Sequence, residues 1–501
     1  METYRELTEG RLSTDLAKNI QTLHRLLPID RSFDLVTRDL YLGETPAYWI
    51  GVNGFCKTDL LQRIFSDLQS PGYTRDAQID DLIRYMNAKI GFAQVEAEGN
   101  WDRLLQNLVS GPSLLFVEGF DQALILDART YPARGISEPD AERVTLGARD
   151  GFVETMLFNA NLIRRRVRSN DLVFAIHNVG SASRTDVAIA YLENNVNREL
   201  LETLTQKMEQ LNSAANITSL TMGAKSLSEL LVPHKWWNPL PSIQYTERPD
   251  VACSYLMEGH ILILVDNSPQ VLLLPGTIFQ FTQSPEDYYK SPLVGSYFRL
   301  VRLLCLPAAL LLLPVFLLIT VYFPDLSEKM HLLSTAHPEP WRLILYVFVV
   351  EFVLDLFKYS AAQSSGHFSA PLSIVGGLLI GDAAVTLNWA STEVLFYGAV
   401  SLLATLSISS LELADALRVY RIFLLITTAA CGLPGFLTGL GLVCLSCLLT
   451  PTFGGMSYFW PLFPWNKKAL ATLLLRYPTV KAQPSKTWNR GPVHTNRVGG
   501  R

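Results

Sequence analysis

Three groups of residues carry charge where the surrounding sequence makes charge expensive or crowded. Glu351, Asp355 and Lys358 interrupt the apolar stretch Trp341–Phe357, as does Arg342 near its start. On a helix, positions 351, 355 and 358 share one face. A charge at the centre of a bilayer costs about 2.5–3.5 kcal/mol on insertion scales. Such a helix therefore lies at an interface, or turns that face to a water-filled path or to a protein partner. Asp382 stands in a second apolar stretch, Pro371–Trp389, beside Gly377-x-x-x-Gly381, a spacing that lets helices approach closely. Two readings of Asp382 stay open. It is a protonated carboxyl bonded to a neighbouring helix, or one of a ring of identical carboxylates that draws cations to a pore. In the second reading Asp382, Glu351 and Asp355 form an ion path.

The third group is Arg164, Arg165, Arg166 and Arg168, four cations in five positions. A solvated helix face, pairing with acids of another subdomain or subunit, and binding of lipid headgroups or a phosphate ligand are all open. No nucleic-acid partner is expected, because no aromatic residues interleave with the cluster and the domain around it is not basic. The remaining candidates for chemistry thin out quickly. There is no glycine-rich phosphate loop after a strand, no histidine pair at metal spacing and no nucleophile elbow. The expectation is a protein that is not an enzyme, with no cofactor and no metal. His177 and His260, at strand edges, read as packing or capping residues. Cys305, Cys431, Cys444 and Cys447 lie in apolar runs, and Cys56 and Cys253 in a part expected to be reduced, so no disulfide framework is expected. Cys444-x-x-Cys447 reads as small apolar helix residues, since no partner ligand accompanies it.

The elements that must hold these residues fall into two unlike halves, which the overall charged fraction of 18% and net charge of −4 average together. Residues 1–30 open without the apolar core of a secretory signal and form a leader helix around Arg11–Leu26. Residues 31–145 read as a first α/β subdomain. Leu35–Leu42 and Ala47–Val52 are strands turning at Gly43, and a helix begins at Thr58 with an apolar stripe through Leu61, Ile64 and Leu68. Helical sequence follows over Leu82–Val95 and Trp101–Val109, then a hairpin of Ser113–Val117 and Gln122–Leu126 around Gly119. The order then recurs over residues 146–290. Leu172–Ile176 and Val187–Leu192 are strand-like, a helix starts at Asn197, and His260–Val265 and Gln270–Leu274 form a hairpin. The repetition suggests a duplicated α/β architecture.

Residues 291–465 read as an all-α transmembrane domain of four spans plus one interfacial or partial helix. Leu303–Phe323 carries no charge, and roughly 20 apolar residues cross the ~30 Å hydrocarbon core. Lys290, Arg299 and Arg302 precede it and place the soluble half in the cytoplasm. Val394–Ile408 is a further segment. Leu411–Arg421 reads as an amphipathic linker, and Ile422–Leu449 as one kinked span, with Gly435 and Gly439 as packing positions; a tight hairpin is the alternative. Residues 466–501 form a basic cytoplasmic tail, partly disordered. A cytoplasmic tail requires an even number of crossings. Treating Trp341–Phe357 as interfacial gives four, at the expense of leaving Arg418 and Arg421 outside.

Several stretches resemble the GerA family of spore germination proteins: Gly151–Thr155, Asn159–Arg168, Trp237-Asn-Pro-Leu-Pro241, Thr246-Glu-Arg-Pro-Asp250, Glu258–Pro275, Ser284-Pro-Glu-Asp-Tyr-Tyr289 and Ser373–Ala384. One departure is Leu146-Gly147-Ala148, where the family often has Arg-Gly-Pro. Phe33–Val36, Gly51–Phe55 and Leu475–Pro478 are more similar to a stage V sporulation branch than to the receptor A-subunits. The resemblance implies a multi-pass protein of the spore inner membrane, its N-terminal domain in the spore core. The resemblance further implies a subunit of a ring-shaped ion channel of five or so copies that amplifies ion release alongside germinant receptors. Implied partners are membrane lipids, further copies of the chain, a small membrane protein and receptor subunits. Two alternatives remain: a non-conducting scaffold for germinant receptors or the dipicolinate channel, and a nutrient-gated receptor A-subunit.

Overall fold

Gly43 takes a φ of 62°, and the two-residue turn it makes with Glu44 returns β1 (Leu35–Leu42) as β2 (Thr45–Val52), with Leu42 opposite Thr45. Positive φ is what a tight hairpin turn demands and what glycine supplies without steric strain. The computed structural model describes residues 4–56, 58–68, 83–84, 94–130, 147–213, 223–232, 236–330, 339–363, 386, 391–455 and 457–476. They divide into two units, one holding Met1–Pro233 with Ile243–Pro275, the other His234–Ser242 with Gly276–Ala482.

The first unit contains two five-stranded sheets. β1 and β2 are joined by β3 (Gln94–Glu98), β4 (Ser113–Val117) and β5 (Ala123–Asp127) in the order β1-β2-β4-β5-β3. β6 (Leu172–Val179), β7 (Thr185–Leu192), β8 (Gln244–Thr246), β9 (Ile261–Val265) and β10 (Val271–Leu274) repeat it as β6-β7-β9-β10-β8. Every pairing is antiparallel. The shared order explains the repetition visible in the sequence. Its third strand was hidden from periodicity reading: β8 is three residues long, and β3 occupies the end of a stretch expected to be helix over Leu82–Val95.

Helices cover the sheets. α1 (Tyr4–Glu9) and α2 (Leu16–Leu26) open the chain, and Asp15 caps α2 by accepting from the Ala17 and Lys18 amides. α3 (Thr58–Leu68) and α4 (Trp101–Ser110) follow. One core joins Leu23, Leu26, Leu104 and Leu108 to Ile50 and Phe116, while Ile64 packs with Trp49, Leu115 and Leu124 on the opposite side. Burial of each such side chain is worth about 1.5–3 kcal/mol. In the second subdomain α5 (Met156–Arg166) and α8 (Pro249–Met257) share a core with β6, β7, β9 and β10. α6 (Arg198–Ser213) lies against β6, and α7 (Ala224–Leu231) against β10.

The second unit is helical. α9 (Pro292–Tyr322) starts well before the uncharged run and takes Arg299 and Arg302 into its first turns. α10 (Pro340–Gln363), α11 (Thr392–Leu406), α12 (Leu411–Leu448) and α13 (Lys467–Leu474) follow. Among the described residues, α9 and α12 are long and apolar enough to cross a membrane, and α11 is a shorter apolar helix.

α12 is not one span with an amphipathic linker before it, as its sequence suggested. The linker residues are its first turns, and the chain reverses at Gly432, whose φ of 62° and ψ of −136° leave the helix. A straight helix would hold Tyr420 and Ser446 about 39 Å apart, yet their hydroxyls are hydrogen-bonded. A Cβ on Gly439 would lie 2.6 Å from Thr427 Oγ1. Residues 411–431 and 433–448 are thus two antiparallel arms, about 30 and 24 Å long at 1.5 Å per residue. Gly435 and Gly439 let the second arm lie directly on the first. The hairpin was the rejected alternative because each half of an apolar run beginning at Ile422 looked too short. Extending the first arm back to Leu411 removes that objection for the first arm, while the second keeps its 16 residues.

Candidate functional site

Arg421 sits where four helices meet. Its Nη1 donates to Ala309 O of α9 at 2.7 Å, and to Ser401 Oγ at 2.9 Å and Thr405 Oγ1 at 3.1 Å on α11. Its Nη2 donates to Glu351 Oε2 of α10 at 3.0 Å, and its Nε lies 2.8 Å from Glu351 Oε1. Both side chains are buried, at 2% and 4% exposure. A lone buried charge is strongly unfavourable, whereas a planar guanidinium facing a carboxylate with two nitrogens satisfies both. Arginine, with five donors in a fixed fork, is the side chain that can serve this many acceptors.

The pairing continues along the seam. Asp355 meets Arg418, and Lys358 meets Asp415. The order 351, 355, 358 against 421, 418, 415 makes α10 and the first arm of α12 antiparallel. On the α12 side exposure rises from 2% at Arg421 through 11% at Arg418 to 62% at Asp415, so the Glu351 pair is the dry end. The face of α10 singled out by its charges is therefore turned to cations of its own chain. Glu351 and Asp355 are paired there with Arg421 and Arg418. Asp382, Gly377 and Gly381 lie outside the described residues.

The open end of the α12 hairpin holds a second polar cluster. Tyr420 Oη on the first arm donates to Asn238 Oδ1 at 3.2 Å and shares a hydrogen bond with Ser446 on the second arm. Asn238 Nδ2 donates to Thr450 Oγ1 at 2.9 Å. At the start of α9, the buried Asp287 accepts from Arg299 Nε at 3.3 Å and from both terminal nitrogens of Arg302 at 2.9 and 3.0 Å. Two cations expected to mark the cytoplasmic flank are thus anchored on the acid of the Ser284–Tyr289 motif. Arg476 donates to Tyr288 O, and its amide to Ser296 Oγ at 3.0 Å.

In the soluble unit the arginine cluster separates into individual roles. Arg164 is buried, and its Nε donates to Asp34 Oδ2 of the first subdomain at 2.7 Å. It also donates to Ser169 O and Leu172 O, and its guanidinium lies over the Phe174 ring. Arg166 pairs with Asp150, and Arg168 Nε donates to Arg165 O. Other motif residues hold the second subdomain together. Asp266 accepts from the Met156 amide at the start of α5, Glu247 O accepts from the Phe152 amide, and the buried Arg248 binds Asp250 and Ala148 O. The last bond ends on the stretch that departs from the usual pattern.

Among the described residues, no group of three or more His, Cys, Asp or Glu could hold a metal ion. Burial pushes the Cys56 thiol up to about 11 and the Cys253 thiol up to about 12, which leaves both protonated and unreactive at neutral pH. Burial lowers His177, and pulls His260 down to about 4. His260 Nδ1 lies 3.2 Å from Tyr255 O, as a neutral donor.

Sequence reasoning missed Asp34, Asn238 and the role of Arg421. For Arg421 a signal existed. Acid, acid, base at 351, 355, 358 is mirrored by base, base, acid at 421, 418, 415. For Asp34 and Asn238 no spacing rule applies, because their partners are remote in sequence.

The described residues thus combine two antiparallel-sheet subdomains with a helical unit organised around a buried Arg–Glu pair. The chain belongs to the GerA family: residues 21–487 match the family model described as Bacillus/Clostridium GerA spore germination protein. It is similar to Stage V sporulation protein AF of Bacillus subtilis (strain 168), 31% identical over 476 residues covering 94% of each chain. It is also similar to Spore germination protein KA of the same organism, 26% identical over 475 residues, 93% of this chain and 85% of that one. A crystal structure of the N-terminal domain of the A subunit of the Bacillus megaterium spore germinant receptor GerK3 is 24% identical, with a TM-score of 0.40, covering 53% of this chain and 96% of that one.

Proposed function

We propose that the chain is one subunit of an oligomeric ion channel in the spore inner membrane, amplifying ion release in germination alongside nutrient receptors. The observation that carries this reading is the Arg421 centre. A buried guanidinium whose charge is met by one carboxylate, and whose two terminal nitrogens donate to that carboxylate and to three oxygens of neighbouring apolar helices, suits a bilayer, since lipid offers polar groups no partner. Large apolar side chains on the outside of the same helices, among them Leu304, Phe352, Leu403 and Leu437, suit contact with acyl chains. In this reading the soluble half lies in the spore core, the helical units of several copies surround a path, and Asp382 lines it. Lipids, a small membrane protein and receptor subunits are its partners, and it performs no covalent chemistry.

Single-channel recording of the purified protein in planar bilayers tests this. Discrete cation-selective openings, altered by Asp382→Asn, are the expected result. A second reading, a non-conducting scaffold for receptors or the dipicolinate channel, is favoured by one observation: each of the six charges on the α10–α12 seam has an opposite partner. Such a seam suits rigid packing. A ring-forming protein that stays electrically silent, also after its membrane partner is added, would select the scaffold.

A further inference from the structure

Two stretches of chain connect the sheet of the second subdomain to the helical unit. The first leaves after Pro233, runs through His234–Ser242 within the helical unit, and returns at Ile243. The second leaves at Pro275 and continues from Gly276. Both are attached to one edge of the sheet. β8 begins at Gln244 and β10 ends at Leu274, and these neighbouring strands pair Gln244 with Leu273. The two connections therefore spring from adjacent strand ends.

They also arrive together. Leu240 of the first connection is buried in one hydrophobic cluster with Ile278 and Phe281 of the second and with Tyr420, Leu424 and Val443 of the two α12 arms. Within that cluster Asn238 is 4% exposed. It bridges the arms, bonding Tyr420 of the first and Thr450 just past the second. Its carbonyl oxygen also accepts from the Leu240 amide at 3.0 Å. Pro239 and Pro241 restrict the strap, since proline fixes its own φ and bars the residue before it from helical conformations. A stiff strap passes on a displacement that a flexible one would absorb. Withdrawing Asn238 would take one bond each from the buried Tyr420 and Thr450 hydroxyls, which would keep only their bonds to Ser446 on the second arm.

We propose that this strap and its companion connection are a coupling device: movement of the β8–β10 edge of the soluble half is carried by Asn238 to the open end of the α12 hairpin and sets how tightly its arms close. The inference takes the medium of the helical unit from the membrane reading above, but its readout requires no conduction, so a silent bilayer recording leaves it standing.

The test is a double-mutant cycle read by hydrogen exchange of the full-length protein in lipid nanodiscs. Arg248→Ala loosens the chain directly after β8. In the otherwise unchanged protein it is expected to speed amide exchange of residues 433–448 by threefold or more. In an Asn238→Ala background, where exchange of those amides is already raised, Arg248→Ala is expected to add nothing. Thr246→Val serves as the milder perturbation of the sheet edge if Arg248→Ala does not fold, and Thr450→Val as the milder uncoupling. Faster exchange confined to the soluble sheet, with residues 433–448 unchanged, overturns the proposal. So does an equal effect in both backgrounds.

Discussion

Asp34 and Arg164 stand 130 positions apart in the chain and 2.7 Å apart in space, with side chains 0% and 2% exposed. Their contact joins the first subdomain to the helix that opens the second. Asp34 is held in turn by Ser32 Oγ at 2.6 Å, and that same hydroxyl accepts from the Phe174 amide of β6. Removing one member of such a pair leaves a buried charge uncompensated.

Asp34→Ala is therefore expected to destabilise the soluble half by about 3–5 kcal/mol. Replacing both residues, as Asp34→Leu with Arg164→Met, is expected to recover most of the loss. Denaturant unfolding followed by far-ultraviolet circular dichroism checks both. A single and a double replacement of equal stability would mean that the pair does not act as a unit.

Glu351 and Arg421 predict the same asymmetry in the helical unit. Glu351→Ala or Arg421→Ala alone is expected to lower its thermal stability in detergent far more than the double change. Arg421→Lys cannot reproduce the forked contact with Glu351, Ser401 and Thr405, and is expected to fall near the alanine variant. Temperature-ramped size-exclusion chromatography gives the measurement.

Gly432→Ala should weaken the hairpin. A φ of 62° with ψ of −136° is a region that costs a side chain about 1–3 kcal/mol, and a Cβ there would lie 2.8 Å from the Tyr322 ring. The expected outcome is faster hydrogen exchange of residues 433–448, with the soluble sheets unaffected.

His260 makes stability depend on pH. Its folded value, about 4, lies below the ordinary 6.5. Above pH 6.5 the ring is neutral whether folded or unfolded, and its contribution is intact. As pH falls from 6.5 towards 4, the unfolded chain takes up a proton that the folded chain refuses. Lowering pH from 7 to 5 is expected to cost about 2 kcal/mol from this residue. His260→Phe should flatten that part of the profile in unfolding titrations.

Cys56 and Cys253, raised to about 11 and 12 by burial, should resist iodoacetamide at pH 8 and label only on unfolding. Mass spectrometry of the soluble peptides reads this directly. Prompt labelling of Cys253 in the folded chain would show that the β6–β10 core opens.

The strands and helices with regular apolar spacing were legible in the sequence. β2 and β7 are short apolar runs bounded by turns, and α3 carries its stripe in plain view. β8 was not, because three residues leave no period to detect, and its place is fixed by pairing with Val271–Leu273. The charges on α10 were visible, as was the choice between solvent and a partner for their face. The identity of the partner was not, because the sequence does not state which helix lies opposite. The hairpin in α12 was misread for a local reason. Counting the apolar run from Ile422 leaves each half about 14 residues long, whereas the arm that ends at the Gly432 reversal begins at Leu411. The arginine cluster misled as a group: four adjacent cations share a charge but not a task, and only Arg164 is buried against the other subdomain.

The seam between α10 and α12 also has a direction in time. Glu351 precedes Arg421 by 70 residues, so a growing chain makes the acid before the base. On the membrane reading proposed above, the two arginines of α12 would arrive where Glu351 and Asp355 already wait, and an earlier helix would meet the burden of carrying bare cations into lipid. A chain halted between Gln363 and Leu411 would hold those acids with nothing to cancel them. On that reading, the seam would give whatever inserts the chain a reason to keep α10 at hand until α12 has been made.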